Sequence, residues 1–334
     1  MKHVTIKDLV KETGYSKSTI SAALNGKTGV SDKVREYIIE TSEKMGYVPS
    51  ELARGLAKRQ RKTIGVVVND ITNPFFNTLV KAIDNIADKY GYTLLFSNTD
   101  FNHVKEVNAI NSLLSQRVAG IIVTPLQRNV DISHLINVQR FDVPLCLIGK
   151  IEGIECYSID QDDWSGALAA MDYLIKLGHK RIAYIKGPDI FYATITRFEA
   201  YIESILKYEL DFDPNLVIQG DSSITSGYNL GPIISNMDPK PTAVFCFDDQ
   251  IANGLFKYYS EKGMQIPNEI SIVGFNNSVD FSSKLTTVNI PIYEMGIKAA
   301  EYFFQCVENK QVLESRHEIM PTNLVIRESV KDLS

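Results

Sequence analysis

Short apolar segments alternate with longer amphipathic segments from residue 63 onward. The short segments are rich in β-branched residues and predict strands over 64–68, 93–96, 120–123, 145–148, 181–185, 243–247 and 271–273. The longer segments predict helices over 76–90, 104–117, 163–177, 196–208, 250–262 and 293–308. This alternation indicates parallel sheets joined by crossover helices. Because roughly 270 residues are too many for one open sheet of this kind, two lobes are expected.

The first 49 residues carry a different pattern, which predicts three short helices and no strand. Apolar residues recur at helical spacing over 6–12, over 17–24 and between Ser31 and Gly46. Capping hydroxyls or glycines delimit these helices at Thr5, Gly14, Ser16, Ser31 and Gly46. Two short helices joined by a glycine turn and closed by a third form a helix-turn-helix unit.

The second of these helices has two distinct faces. At 100° per residue, Ile20, Ala23 and Leu24 fall on one side and predict the face that packs in the core. The opposite side carries Lys17, Ser18, Ser21 and Ala22. That side is free to contact a partner, although a three-helix bundle with ordinary solvated charges explains the spacing as well.

The charge distribution favours a partner. The chain of 334 residues has 35 Lys+Arg and 40 Asp+Glu, a net charge of -5. Residues 1–62 hold 13 basic and 7 acidic side chains, a net charge of +6, which leaves -11 for the remaining 272 residues. A basic segment attached to an acidic body indicates a polyanionic partner for that segment.

Other classes of protein are disfavoured. No apolar run reaches about 18 residues and the first residues lack a signal-peptide stretch, so a cytoplasmic protein without a membrane partner is expected. Cys146, Cys156, Cys246 and Cys306 lie far apart without a C-x-x-C pair, which predicts reduced cysteines in the core. The five histidines form no H-x-x-x-H pair and no complete phosphate loop is present, so we predict no metal, cofactor or catalytic residue.

Ordered motifs along nearly the whole chain resemble the LacI/GalR family of bacterial transcription regulators. They are Thr5-Ile6-Lys7-Asp8, Gly14-Tyr15-Ser16-Lys17-Ser18-Thr19-Ile20-Ser21, Leu24-Asn25-Gly26, Val30-Ser31, Gly46-Tyr47-Val48-Pro49, Ile64-Gly65-Val66-Val67, Asn73-Pro74-Phe75-Phe76, Leu177-Gly178-His179-Lys180-Arg181-Ile182-Ala183 and Val273-Gly274-Phe275. The resemblance implies an N-terminal all-α helix-turn-helix domain and an α/β periplasmic-binding-protein-like core of two parallel-sheet lobes.

The resemblance also implies the domain boundaries. A DNA-binding domain would span 1–49, a hinge helix and linker 50–62, and an effector-binding and dimerisation core 63–334. Within the core, the first lobe would comprise about 63–160 and 291–322, and the second about 161–290 and 323–334.

By the same resemblance, Lys17, Ser18 and Ala22 would contact base edges in the major groove. The family usually has arginine at the position of Ala22, so an altered operator preference is expected. Thr5, Ser16, Thr19, Ser21 and Asn25 would contact phosphates. In the hinge helix, Leu52, Ala53, Arg54 and Leu56 would meet DNA, with Leu56 as a wedge in the minor groove. A merely solvated linker over 58–62 remains the alternative.

Effector contacts are expected where strands end, in the cleft between the lobes. The candidates are Asp70, Asn73, Phe75, Thr124, Arg197, Asp248 and Asn276. Their amides, carboxylates and aromatic rings suit the hydroxyl groups and ring face of a sugar or related metabolite. For any one of them a role as a loop or helix cap is the alternative, especially for the neighbouring Asp249.

Two other functions compete with a regulator. The sequence lacks the catalytic motif that a sugar- or nucleoside-processing enzyme would need. A periplasmic binding protein would have a signal peptide and would not have the basic, helical N-terminal segment found here. The sequence therefore predicts an effector-controlled, DNA-binding repressor that acts as a homodimer on a palindromic operator. The departures at Asn276-Asn277, Asp248 and Ser222 leave the identity of the effector open.

Overall fold

The computed structural model describes residues 4–47, 62–278, 283–309 and 314–334. The chain divides into two compact units, Met1–Arg61 and Lys62–Ser334. The predicted hinge helix over 50–57, with Leu52, Ala53, Arg54 and Leu56, lies outside the described residues.

The first unit contains α1 (Ile6–Thr13), α2 (Lys17–Leu24) and α3 (Asp32–Lys44), which confirms the three predicted helices. Its small core buries Leu9, Ile20, Ala23 and Ile38. Gly14 ends α1 with φ +73°, a left-handed conformation that glycine adopts without a steric penalty. The inward face predicted for the second helix is thus the one that packs against its neighbours.

The second unit alternates strands and helices. Its first elements are β1 (Thr63–Val68), α4 (Pro74–Lys89), β2 (Thr93–Asn98), α5 (His103–Ser115), β3 (Ile121–Val123), α6 (Ser133–Arg140), β4 (Leu145–Ile148), β5 (Tyr157–Gln161) and α7 (Asp163–Lys176). The next are β6 (Ile182–Lys186), α8 (Tyr192–Lys207), a short 3-10 helix (Pro214–Leu216), β7 (Val217–Gln219), α9 (Ile224–Ser235) and β8 (Ala243–Cys246). The last are α10 (Asp249–Glu261), β9 (Ser271–Asn276), β10 (Thr286–Asn289), α11 (Ile292–Asn309), β11 (Arg316–Met320) and β12 (Asn323–Val325).

These strands form two six-stranded sheets, and we call each sheet with its packed helices a lobe. The first sheet has the order β11-β5-β4-β3-β1-β2, and its strands are parallel. The second has the order β12-β10-β9-β8-β6-β7. One feature of the predicted parallel sheets is wrong here: β12 pairs with β10 antiparallel. The chain enters β12 directly from the first sheet, so it runs back along β10.

Buried apolar side chains cover both faces of each sheet, as parallel strands between helix layers require. In the first lobe α4 packs against α11, and in the second α7 packs against α8 and α9 against α10. All four cysteines are buried and carry free thiols. No helix among the described residues is long and apolar enough to span a membrane.

Candidate functional site

The exposed face of α2 is organised by its first turn. The Ser16 hydroxyl accepts a hydrogen bond from the Thr19 amide at 3.2 Å and so caps the helix. Lys17 and Ser18 follow immediately with exposed side chains, and Ala22 lies one turn later, half-buried. A flexible cation, a hydroxyl and a methyl group thus share the open face of a short, capped helix.

The other polar candidates on this unit already have local partners. The Thr5 hydroxyl donates to Asp8 at 2.7 Å, and the Asn25 amide donates to the Ser21 carbonyl at 2.7 Å. The hydroxyls of Ser16 and Thr19 lie 2.9 Å apart. These side chains fix the ends of α1 and α2, and a phosphate would be an additional partner.

Arg35, on α3, is a further functional candidate that sequence reasoning missed. Its Nη2 donates to the Lys27 carbonyl at 2.8 Å, and its Nη1 donates to the Ala23 carbonyl at 3.5 Å. It therefore holds the C-terminal end of α2 and the turn that follows. No local pattern indicates this contact, because its partners lie 8 and 12 residues away.

In the second unit, a cavity with an empty volume of about 710 Å³ lies between the carboxyl ends of the two sheets. Six of the seven predicted effector residues line it: Asn73, Phe75, Thr124, Arg197, Asp248 and Asn276. Thr124 follows β3 in the first lobe, and Asp248 follows β8 in the second. The strand-end rule for open α/β sheets therefore located most of the cavity.

The seventh candidate, Asp70, does not line the cavity. Its carboxylate accepts hydrogen bonds from the Thr72 amide at 2.9 Å and the Thr72 hydroxyl at 2.7 Å. It closes a turn between β1 and α4, where an aspartate side chain replaces a backbone acceptor. The capping role given as the alternative is the one that the structure shows for Asp70.

Arg197 lines the cavity and is almost fully buried, with only 3% of its surface exposed. Its Nε and Nη2 lie 2.7 and 2.6 Å from Asp163 Oδ1, and its Nη1 donates to the Phe247 carbonyl at 2.6 Å. The guanidinium carbon lies 3.6 Å from the centre of the Phe275 ring. The charge of this arginine is therefore balanced inside the protein by Asp163.

The helix-cap role suggested for Asp249 belongs instead to its neighbour Asp248. Asp248 caps α10 by accepting from the Ile251 amide at 3.0 Å, and it also accepts from the Ser222 hydroxyl. Asp249 accepts from the Ser278 amide at 2.7 Å and the Thr287 hydroxyl at 2.6 Å. Burial raises the pKa of both carboxyls, that of Asp249 to about 7. Asp248 is thus both the cap and a cavity-lining residue.

Three polar side chains in the cavity differ in how their positions are fixed. The Thr124 hydroxyl is buried without a hydrogen bond within the described parts of the chain. Asn276 ends β9 with φ +105°, a strained backbone conformation that is enriched at functional sites. Asn73 differs, since its side chain caps α4 by accepting from the Phe75 amide at 3.0 Å.

Phenylalanine rings form an apolar wall along the cavity. Phe75 and Phe76 meet edge to face with their centres 5.1 Å apart, and Phe76 meets Phe101 at 6.4 Å. Phe101 in turn meets Phe191, from the second lobe, at 5.8 Å. All four rings line the cavity, which gives it a surface suited to the face of a flat ring.

Hydrogen bonds join the lobes beside this wall, and we call this group the inter-lobe latch. The Gln127 and Arg128 amides donate to the Ile190 carbonyl at 3.2 and 3.1 Å. The Arg128 guanidinium donates to the Asp189 carbonyl at 2.7 Å, and the Tyr192 amide donates to Gln127 Oε1 at 2.8 Å. The latch thus connects the loop after β3 to the loop after β6.

Comparisons with known proteins agree with both parts of the molecule. Residues 5–50 match the family model for bacterial regulatory proteins of the lacI family, and residues 171–330 match that for a periplasmic binding protein-like domain. The chain is 32% identical to catabolite control protein A of Priestia megaterium, over 98% of this chain and 100% of that protein. The chain belongs to the lacI family of bacterial regulatory proteins.

Solved structures of lacI-family proteins have the same fold. The Lac repressor dimer bound to operator and the anti-inducer ONPF superposes with a TM-score of 0.81 at 26% identity, covering 99% of this chain and 100% of that one. A lacI-family regulator from Enterococcus faecium with bound ribose has a TM-score of 0.71 at 27% identity, covering 81% and 100%. This lacI-family protein is a DNA-binding transcriptional regulator rather than an enzyme.

One cavity residue of this lacI-family chain, Asp160, was missed because β5 was not predicted. Its carboxylate accepts from the Gln161 amide at 3.0 Å and lines the cavity. Burial, with the neighbouring charge of Asp163, raises its pKa to about 7. The protonation state of this cavity wall therefore changes near neutral pH.

We expect core stability to fall as the pH rises from about 4 to about 7. Asp160 and Asp249 keep their protons in the folded chain up to about pH 7, whereas in the unfolded chain they ionise near their ordinary pKa of 3.8. Ionisation thus favours unfolding across this window, by about 1.4 kcal/mol per unit of raised pKa. Urea denaturation at several pH values gives the free energy of unfolding, which should fall less with rising pH in Asp160→Asn than in the unsubstituted protein. An equal pH dependence in the two proteins would contradict the raised pKa assigned to Asp160.

Proposed function

We propose that this regulator is a repressor that binds a palindromic operator as a homodimer and releases or holds it in response to a sugar or related metabolite. The observation that carries the proposal is the combination of an exposed helix in a basic unit with a polar, aromatic-walled cavity between two lobes. The Lac repressor, a structural relative, is a dimer on its operator, and the Enterococcus faecium relative holds ribose.

For operator recognition we assign direct base contacts to Lys17, Ser18 and Ala22. Lysine can donate to guanine, a serine hydroxyl to several bases, and an alanine methyl can contact thymine. Their positions on the open face of α2 support this assignment. The phosphate contacts assigned to Thr5, Ser16, Thr19, Ser21 and Asn25 would hold the helix in register, as would the hinge residues Leu52, Ala53, Arg54 and Leu56.

For effector binding we assign Asn73, Phe75, Thr124, Arg197, Asp248 and Asn276, together with Asp160. Asp70 is left out because its carboxylate is used in its own turn. A ligand held by residues of both lobes favours one relative position of the lobes over others. Through the dimer this preference would set the separation of the two hinge segments and hence operator affinity.

The experiment that tests this function begins with selection of an operator from random DNA by the full-length chain. A stabilising ligand is then found by thermal shift, since a ligand that binds the native state raises the melting temperature. Effector affinity is measured with and without operator, and the two must differ because coupling is reciprocal. No selected sequence, or equal effector affinity in the two states, would refute the proposal.

The inter-lobe latch gives a separate prediction. Gln127→Ala with Arg128→Ala removes two of the hydrogen bonds between the lobes and leaves the backbone ones. We expect the lobes of the ligand-free protein to separate more readily, which increases the radius of gyration measured by X-ray scattering. The two lost hydrogen bonds should cost the closed form about 1 to 2 kcal/mol and so weaken effector binding by about tenfold. Arg140→Ala, on the exposed end of α6, is the control; identical scattering for both variants would contradict a latch.

A further inference from the structure

An acidic residue, Glu106, lies on the buried face of helix α5. The other buried residues of this helix are Ile110 and Leu113, which follow at helical spacing, so Glu106 occupies the first position of an apolar stripe. Its side chain is fully buried, with 0% of the residue's surface exposed. Because a carboxyl group loses its hydration on burial, its two oxygens need hydrogen-bond partners inside the protein.

Both oxygens of Glu106 have partners, and these belong to different parts of the first lobe. The imidazole Nε2 of His134, on α6, lies 2.8 Å from Oε1, and the Leu126 amide donates to Oε2 at 2.9 Å. His134 is buried as well, and its Nδ1 has no hydrogen-bond partner among the described residues. Through these two hydrogen bonds Glu106 joins α5 and α6 to the loop after β3.

The loop after β3 makes its backbone hydrogen bonds with distant parts of the chain. The Leu126 amide bonds to Glu106, and the next two amides, those of Gln127 and Arg128, bond to the Ile190 carbonyl of the second lobe. Leu126 is 2% exposed, so water cannot readily replace the carboxyl group as an acceptor for its amide. Glu106 thus fixes the residue that directly precedes the two residues of the inter-lobe latch.

We propose that Glu106 and His134 are positioning residues, which hold the loop after β3 in the conformation in which the inter-lobe latch forms. Well-packed apolar side chains are often as stable as a buried polar pair of similar volume, so stability alone does not explain an acid at this position. The Leu126 amide explains it, because an apolar side chain could not accept its hydrogen bond. The inference rests on the proposed function, since the same loop contributes Thr124 and Gln127 to the effector cavity.

Two substitutions of Glu106 separate its hydrogen bonds from its packing. Glu106→Met has a similar length but no oxygen to accept from an N–H group. Glu106→Gln keeps a carbonyl oxygen for the Leu126 amide, and its own amide can donate to His134 once the imidazole proton moves to Nδ1. Hydrogen–deuterium exchange of the full-length protein gives the exchange rate of amides 126–128 relative to those of β1. We expect this ratio to rise about tenfold or more in Glu106→Met and less than about threefold in Glu106→Gln.

A double variant distinguishes positioning of the loop from simple stabilisation of the lobe. Glu106→Met with His134→Leu removes both polar groups, so it should recover part of the melting temperature lost in Glu106→Met. The exchange ratio should stay raised, because the Leu126 amide still lacks its acceptor. Ile110→Ala, one turn further along α5, opens a cavity on the same helix face and should leave the ratio unchanged. A ratio restored in the double variant, or raised equally in Ile110→Ala, would show that the pair is a structural support only.

X-ray scattering of the ligand-free protein tests the connection to the latch. Glu106→Met should increase the radius of gyration, as loss of the latch side chains does, and Glu106→Gln should not. An unchanged radius of gyration in Glu106→Met would overturn the inference. These measurements use neither operator nor effector, so a negative result leaves the proposed function standing. Conversely, a chain that selects no operator refutes that function without changing the exchange or scattering results.

Discussion

Replacing Arg197 with alanine should destabilise the core by about 3 to 5 kcal/mol, the usual cost of removing one partner of a buried ion pair. The guanidinium provides two of the hydrogen bonds to Asp163 Oδ1 and one to the Phe247 carbonyl, and it stacks on Phe275. Without it, Asp163 is left as a buried, poorly compensated carboxylate. Urea denaturation without ligand measures the change, and the single tryptophan, Trp164, lies next to Asp163 and reports it by fluorescence.

A double variant separates the charge from the packing. Arg197→Met with Asp163→Asn removes both charges and keeps most of the volume, so it should recover at least half of the stability lost in Arg197→Ala. Effector response should be absent from both variants if Arg197 also donates to the ligand. A loss below about 1 kcal/mol in Arg197→Ala would show that the pair with Asp163 is not a structural support.

The bounds of the three N-terminal helices could be predicted from the sequence almost to the residue. Helix α2 was expected over 17–24 and spans Lys17–Leu24. The signals that define it are local: a serine that caps the first turn, a glycine that ends the preceding helix, and apolar residues at helical spacing. Such signals act within a few residues of one another, so one sequence is enough to detect them.

Elements held by distant partners were missed. The elements that were not predicted are strands β5, β7, β10, β11 and β12 and helices α6 and α9. Strand β11 in particular carries arginine, histidine and glutamate among its five residues. It exists because it pairs with β5, about 160 residues earlier in the chain. Local propensity is weak for such edge strands, and their context decides the outcome.

The same distinction explains the candidate site. Residues at the ends of predicted strands, such as Thr124 and Asp248, could be placed in the cavity from the topology of open sheets. Asp160 could not, because β5 was missed, and neither could the contact between Phe101 and Phe191. The resemblance gave the position of Arg197, but its pairing with Asp163 depends on the packing of α8 against α7, which no spacing in the sequence reveals.

Reversing the charge of Lys17 should weaken operator binding by about 100-fold or more. The substitution Lys17→Glu removes the donor to a base edge that we assign to Lys17, worth about 1 to 3 kcal/mol, and it places a negative charge against the phosphates. Lys17 is exposed at the first position of α2, so the substitution leaves the buried core of the first unit intact. Fluorescence anisotropy with the selected operator, at one fixed salt concentration, measures the change.

Lys44→Glu provides the matched control for this prediction. Lys44 is exposed at the C-terminal end of α3 and undergoes the same change of charge. It should lower affinity for operator and for random DNA by similar small factors, because it acts only through long-range electrostatics. Lys17→Glu should instead reduce the ratio of operator to random-DNA affinity, since a base contact carries specificity and a phosphate contact does not. If both variants lower that ratio equally, α2 does not read the operator through Lys17, and the base contacts must be assigned to other residues.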